Sequence, residues 1–322
     1  MQRDARIYVA GHTGLAGSAI LRALERAGYA NLVLRRHAEL ELTDAGAVAA
    51  FFQKERPQYV LLAAAKVGGI LANDSYPADF IRENLAVQLN VIHQAWLAGV
   101  QRLLFLGSSC IYPRDCPQPI REEYLLGGPL ESTNRAYALA KIAGVEMCWS
   151  YNRQHGARFL AAMPTNLYGP GDHYDLRNSH VLPALIRKIH EAKQAGARQV
   201  TLWGSGRPRR EFLYSDDLGE ACTFLMRLPE AEFGRLVAPA QAPLINIGAG
   251  TDQSIAELAA LVAEALGYRG EFVYDASKPD GTPRKLLDSS RLMALGWKPK
   301  IGLREGIAAA YKDFLQRRVS AG

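Results

Sequence analysis

Arg6-Ile7-Tyr8-Val9-Ala10-Gly11-His12-Thr13-Gly14-Leu15-Ala16-Gly17 is the stretch on which the fold turns. An apolar, strand-like run breaks at a glycine, and two more glycines follow at intervals of three before a helical pattern begins. Glycines so spaced permit a tight turn and a close approach of pyrophosphate to a helix N-terminus. There, free N–H groups and the helix dipole favour anions. Glycine triplets also occur in plain turns, so it is the strand–turn–helix context that gives the motif weight.

Working outward, strands are expected at 6–11, 31–35, 59–64, 102–107 and 157–163, and helices at 14–28, 44–55, 79–98 and 135–154. Leu103-Leu104-Phe105-Leu106 is apolar without alternation, as a strand buried on both faces should be. The alternation predicts an α/β fold with a Rossmann-type doubly wound parallel sheet. After Pro164 the character changes. Tyr168-Gly169-Pro170-Gly171-Asp172 and Trp203-Gly204-Ser205-Gly206 mark turns, and helical patterns recur near 181–195, 254–266 and 303–317. The expected division is a dinucleotide-binding domain over 1–165 and a smaller, mainly substrate-binding α/β lobe over 166–322. One or two later strands should return to the main sheet. Asp216-Asp217 reads as a helix N-cap.

A chain of 322 residues can bury a large core, and its +6 formal charge suits anionic ligands such as nucleotides or phosphorylated sugars. The Lys and Arg residues are scattered, the densest group being Arg207, Arg209 and Arg210, which argues against nucleic acid as a partner. No apolar run approaches a membrane span. Cys110, Cys116, Cys148 and Cys222 show no metal-ligand spacing and no paired framework, so no metal and a reducing, cytoplasmic setting are expected. The strand-like run begins almost at once, leaving no room for a targeting peptide.

The next signals concern cofactor and carbonyl chemistry. Arg35 and Arg36, with His37 behind them, stand where the second strand ends, and basic groups there favour NADP(H) through its 2′-phosphate over NAD. A solvated basic loop is the plain alternative. Ala63-Ala64-Ala65 ends the third strand with small side chains that let a cofactor lie close. Leu106, Gly107, Ser108 and Ser109 end the fourth strand, at the rim where ligands bind open α/β sheets. Tyr137 and Lys141 are four apart and share a helix face. A nearby ammonium favours phenolate, so the tyrosine could exchange a proton near neutrality.

In this order the motifs resemble the extended short-chain dehydrogenase/reductase family over essentially the whole chain. The resemblance implies that Tyr137 is the proton donor or acceptor at a carbonyl. It also implies that Ser108 hydrogen-bonds the same oxygen, and that Lys141 binds cofactor ribose and lowers the tyrosine pKa. Ser108-Ser109-Cys110-Ile111-Tyr112-Pro113 lacks the Asp-Glu pair of the family's dehydratases.

Five segments resemble one branch of the family, the GDP-L-fucose synthases: Ala63–Ile70, Gly107–Pro113, Pro164–Pro170, Asn178-Ser179-His180 and Asp275–Lys285. That likeness implies a GDP-linked 4-keto-6-deoxy sugar as substrate and NADP(H) as cofactor. Cys110 and His180 become the acid–base pair that inverts carbons 3 and 5. Lys188, Trp203, Arg210 and Asp280 fall at substrate positions. Pro164, Thr165, Asn166, Leu167 and His180 join the glycine loop along the cofactor. The chain departs from the familiar bacterial members at Thr13, where they carry a basic residue, and at His37.

Competing readings are a 5-epimerase/4-reductase of a colitose-type route, a UDP-sugar 4-epimerase that recycles its dinucleotide, and a non-enzymatic dinucleotide-sensing scaffold. Helices 79–98 and 135–154, with Leu85, Leu89, Ile92, Leu139, Val145 and Met147, serve either the sheet or a homodimer interface; periodicity does not separate the two.

Overall fold

The computed structural model describes residues 1–176, 179–278 and 280–320; Asn178 and Pro279, quoted above, lie outside them. In the first half β1 (Ile7–Ala10), α1 (Leu15–Arg26), β2 (Leu32–Val33), α2 (Ala45–Glu55), β3 (Tyr59–Leu62), α3 (Ile70–Ser75), α4 (Pro77–Leu97), β4 (Arg102–Leu106), α5 (Arg135–His155) and β5 (Phe159–Pro164) follow in turn. The second half contributes β6 (Asn166–Tyr168), α6 (Val181–Gln194), β7 (Gln199–Trp203), β8 (Arg209–Tyr214), α7 (Ser215–Arg227), α8 (Glu230–Leu236) and β9 (Leu244–Ile247). It ends with β10 (Asp252–Ser254), α9 (Ile255–Leu266), β11 (Glu271–Asp275), β12 (Arg284–Lys285), α10 (Ser290–Ala294) and α11 (Leu303–Ser320). No helix among the described residues is long and apolar enough to cross a membrane.

Six parallel strands form the main sheet in the order β2-β1-β3-β4-β5-β9. Chain order reverses between β1 and β3, so the crevice outside their carboxyl ends is where such sheets take ligands. The uninterrupted apolar runs of β1, β3, β4 and β5 are buried throughout, because helices cover both faces. On α1, Ala19, Ile20, Ala23 and Leu24 are buried, and Ile20 and Leu24 share a core with the sheet. α9 begins at a capping box in which Ser254 and Glu257 satisfy each other's backbone N–H groups.

A second core sits apart, built from Leu182, Leu185, Ile186 and Ile189 of α6, Leu258 and Val262 of α9, and Ile307 and Phe314 of α11. One late strand, β9, does return to the main sheet, beside β5. The extent of helix α7 was not read from the sequence, although Asp216-Asp217 marked its start. Its Leu218, Ala221, Cys222 and Leu225 join the same core as Ile20 and Leu24 of α1. Asp216 and Asp217 occupy its first turn and Tyr214 is the N-cap, which corrects the capping expectation. Asp216 pairs with Arg22 and Arg26, while Asp217 accepts from the backbone N–H groups of Lys300 and Ile301.

Glu211 is the polar knot of the molecule. Its carboxylate, with no exposed surface, accepts from Gly250 N at 2.7 Å and Leu287 N at 3.0 Å. Its carbonyl accepts from Thr165 Oγ1 at 3.2 Å and Asn166 Nδ2 at 2.8 Å. β8, the β5–β6 junction, the β9–β10 turn and the segment after β12 therefore meet at one residue. Glu211→Ala leaves buried donors without acceptors, at roughly 1–3 kcal/mol each, and should lower the thermal midpoint sharply. A melting curve checks this; a midpoint within about 2 °C of wild type would contradict it.

Candidate active site

Geometry at the switch point is set by close backbone approach. Gly11 has φ +82°, and a Cβ there would lie 2.7 Å from Ala64 N. A Cβ on Gly17 would lie 2.0 Å from Gly11 O, so α1 packs directly on the turn. Gly14 caps α1 without a side-chain hydrogen bond, leaving Leu15, Ala16 and Gly17 in its first turn at the loop. His12 Nδ1 is buried and has no partner, and burial followed by the charge of Arg36 lowers the ring's pKa. A helix N-terminus without a side-chain cap and an orphaned ring nitrogen at one glycine turn fit the pyrophosphate of a dinucleotide.

The basic cluster after β2 does not act as one unit. Arg35 turns inward: its Nη2 donates to Glu55 Oε1 at 2.6 Å and its guanidinium lies 5.7 Å from the Phe51 ring centre. Its charge is thus engaged in packing α2 against β2, while a third of the side chain stays exposed. His37 is almost fully exposed and pairs with Glu41 at 3.0 Å. Arg36, whose backbone N–H donates to Glu39 Oε2, remains the cation beside the glycine loop, where Thr13 is exposed.

Beyond β4, Gly107 admits the Met163 side chain, since a Cβ would meet its Sδ at 2.4 Å. Ser109 is buried, and Ser108 accepts from Cys110 N at 3.2 Å as the chain turns into a short 3-10 segment. α5 then brings Tyr137 and Lys141 alongside. The Tyr137 phenol hydrogen-bonds Ser108, and its ring packs edge-on against Phe80 at 6.2 Å. Lys141 Nζ donates to Leu106 O at 2.8 Å and lies 5.8 Å from the Tyr137 ring centre. Pro164 ends β5, Thr165 and Asn166 just beyond it are anchored at the Glu211 carbonyl, and Leu167 pairs with Leu213 in β6–β8.

The electrostatics depart from the expectation that Lys141 depresses the Tyr137 pKa. Burial pushes the phenol above its ordinary range and charge on Cys110 adds to this, while the Ser108 hydrogen bond pulls it back. Burial also brings the Lys141 ammonium down to about 7, which weakens its pull on the phenol. Desolvation is the largest cause for both groups.

Cys110 is half-buried. Asn134 Nδ2 lies 3.3 Å from its sulfur and Lys285 Nζ 3.4 Å from it. His180 precedes α6 as its N-cap residue without using its side chain for capping. The residue is exposed, yet protein crowds around it, so desolvation and then the charge of Lys285 lower its pKa. The structure thus gathers Ser108, Cys110, Tyr137 and Lys141 at one cleft, and the charge of Lys285, which hydrogen-bonds Cys110, also acts on His180. Sequence reasoning assigned no role to Asn134 or Lys285. The only signal was that Lys285 closes the unusual 275–285 run.

The substrate candidates line an outward arc. Arg210 is largely enclosed, donates to the Arg209 and Thr282 carbonyls, and has its pKa lowered by burial. Asp280 accepts from Ser205 N at 2.9 Å and Ser205 Oγ at 2.6 Å. Trp203 is 57% exposed, an open aromatic face with Lys188 Nζ 5.3 Å and Lys278 Nζ 5.7 Å from its ring centre. Such a face suits a planar ring, and its cations suit phosphate.

Fold and cleft together define a dinucleotide-binding α/β protein built to handle a carbonyl and its neighbouring protons. Residues 7–238 match the model of the NAD dependent epimerase/dehydratase family, and the chain belongs to that family. It is 55% identical to GDP-L-fucose synthase 1 of Arabidopsis thaliana over 98% of this chain and 94% of that protein. It is 52% identical to the GDP-L-fucose synthase of Escherichia coli, covering 97% of each chain. Identity falls to 37% with the GDP-L-colitose synthase of Yersinia pseudotuberculosis, over 97% of this chain and 99% of that one. Among solved structures, a GDP-mannoheptose C4 reductase from Campylobacter jejuni with NADP bound superposes with a TM-score of 0.87 at 41% identity, covering 98% and 99%.

Lys141 yields a pH test. Below about 7 the lysine is protonated folded or unfolded, and the folded state bears the full desolvation cost; between about 7 and 10.5 only the unfolded chain holds the proton. Wild type therefore gains stability relative to Lys141→Met as pH rises through that window. Melting midpoints should favour the variant most at pH ~6, with the difference narrowing by pH ~9.5. A difference independent of pH would contradict the burial of an ionisable amine here.

Proposed function

We propose that the protein is a bifunctional 3,5-epimerase and NADPH-dependent 4-reductase that converts GDP-4-keto-6-deoxy-D-mannose to GDP-L-fucose. The observation that carries this reading is the Cys110 thiol at the cleft of Ser108 and Tyr137, hydrogen-bonded to Lys285, whose charge is also felt by the His180 imidazole. A reductase alone needs only the Ser108–Tyr137 pair. The relatives named GDP-L-fucose synthase support the substrate class.

A 4-keto group acidifies the protons on carbons 3 and 5, because each carbanion is delocalised into the carbonyl. Tyr137 and Ser108 donate hydrogen bonds to the 4-oxygen, where negative charge develops, a contribution among the larger ones in catalysis. Cys110 and His180 exchange protons with the two carbons. His180, held below its ordinary pKa, is mostly neutral at pH 7 and able to accept a proton. When bound, NADPH would supply the hydride for carbon 4; Tyr137 gives the alkoxide its proton, and a phenol whose pKa burial has raised keeps that proton until then.

The glycine loop 11–17 holds the pyrophosphate, Arg36 the 2′-phosphate and Lys141 the ribose. Trp203 offers the guanine a stacking face, with Lys188, Arg210 and Asp280 around the nucleotide. Leu85, Leu89 and Leu139 stay exposed on α4 and α5, which pack together. They support a homodimer joined through these helices, and light scattering at about twice 35.3 kDa checks the stoichiometry.

The test is wash-in of solvent deuterium at carbons 3 and 5 of GDP-4-keto-6-deoxy-mannose, followed by NADPH oxidation. Cys110→Ser and His180→Asn should each slow exchange by about 100-fold or more, the usual worth of a positioned acid or base. Near wild-type exchange in both variants would sink the assignment. Sugar turnover without net NADPH consumption would point to a recycling 4-epimerase.

A further inference from the structure

Lys285 stands out because it is half-buried and, among the described residues, forms no ion pair with a carboxylate. Its one hydrogen bond is to Cys110 Sγ, at 3.4 Å. The geometry is held from both sides. On one, β12 pairs with β8 in parallel so that Lys285 stands opposite Arg210. The chain just beyond is tied down by Leu286 N to Gln118 Oε1 at 2.9 Å and Leu287 N to Glu211 Oε2 at 3.0 Å. On the other, Asn134 directs its amide to the same sulfur at 3.3 Å, its own N–H fixed by Glu131 Oε2 at 3.2 Å.

We propose that Lys285 is a positioning residue of the epimerisation: with the Asn134 amide it orients Cys110 Sγ, and its ammonium carries the counter-charge whenever that sulfur is negative. In each exchange a C–H bond breaks, its electron pair moves to the 4-oxygen, and the proton passes to Cys110 or His180. Reprotonation from the opposite face reverses these changes, so no oxidant or reductant is needed. Whether sulfur gives or receives the proton, it is anionic on one side of the transfer, and a charge-assisted hydrogen bond stabilises that state. The same ammonium disfavours a second positive charge on His180. One lysine thus biases the two partners toward different charge states.

The inference rests on the Cys110–His180 reading, and its test separates the two. In a Cys116→Ser background, which removes the other half-buried thiol, iodoacetamide alkylation of Cys110 is followed by peptide mass spectrometry, without substrate or cofactor. Lys285→Met should slow alkylation at pH ~7.5 about tenfold, with Lys285→Arg recovering most of the rate, and exchange at carbons 3 and 5 should fall in parallel. Alkylation within about twofold of the parent would overturn the proposal, as would a raised KM with alkylation unchanged, the mark of a substrate-binding lysine. Exchange that survives Cys110→Ser would instead overturn the underlying reading, leaving the alkylation rates to decide the place of Lys285.

Discussion

The buried carboxylate of Glu211 is the constraint on which the site depends. It lies among backbone N–H groups drawn from segments far apart in sequence, with no cation paired to it among the described residues, and burial raises its pKa while those hydrogen bonds pull it down. Removing a carboxylate from water is costly, so it persists only because each bond is in place at once. This fixes where β12 can run, and hence where Lys285 meets the sulfur of Cys110. Through its carbonyl the same residue anchors Thr165 and Asn166, where the chain leaves the cofactor sheet.

A second constraint is steric, at the other end of the cleft. The contacts around Gly11, Gly17 and Ala64 leave no room for a Cβ on either glycine, so turn, strand end and helix form one surface. The cofactor turn is thus held by backbone alone, while the carbonyl site is held by buried polar groups. The first tolerates no added atom and the second no missing partner. Burial shifts Tyr137, Lys141 and His180 in the directions that keep each nearer its neutral form.

The parallel sheet was legible because its strands are apolar without alternation and lie between helices with clear stripes. Every expected strand and helix of the first half is present, with ends shifted by a residue or two. The glycine turn and the Tyr137–Lys141 face were legible for the same local reason: both are short-range patterns. What could not be read is what tertiary burial decides. Arg209-Arg210-Glu211 looks in sequence like a charged surface run, yet the structure sends Arg209 to Asp252, encloses Arg210 and buries Glu211 completely. Arg35 looked free and is tied to Glu55. Lys285 reaches Cys110 across 175 residues of chain, a pairing that no local pattern encodes.

The packing of α7 on α1, with β9 closing the sheet beside β5, has a consequence for how such a molecule could be divided. The chain leaves the nucleotide-binding half after Pro164, then returns to supply that half with an outer helix and an edge strand. A fragment ending there would expose one side of α1 and the flank of β5 to water, a bare edge inviting aggregation. The cofactor half is therefore not a portable cassette. Grafting or shuffling it would have to carry α7 and β9 along, and with them the chain that frames the substrate cleft.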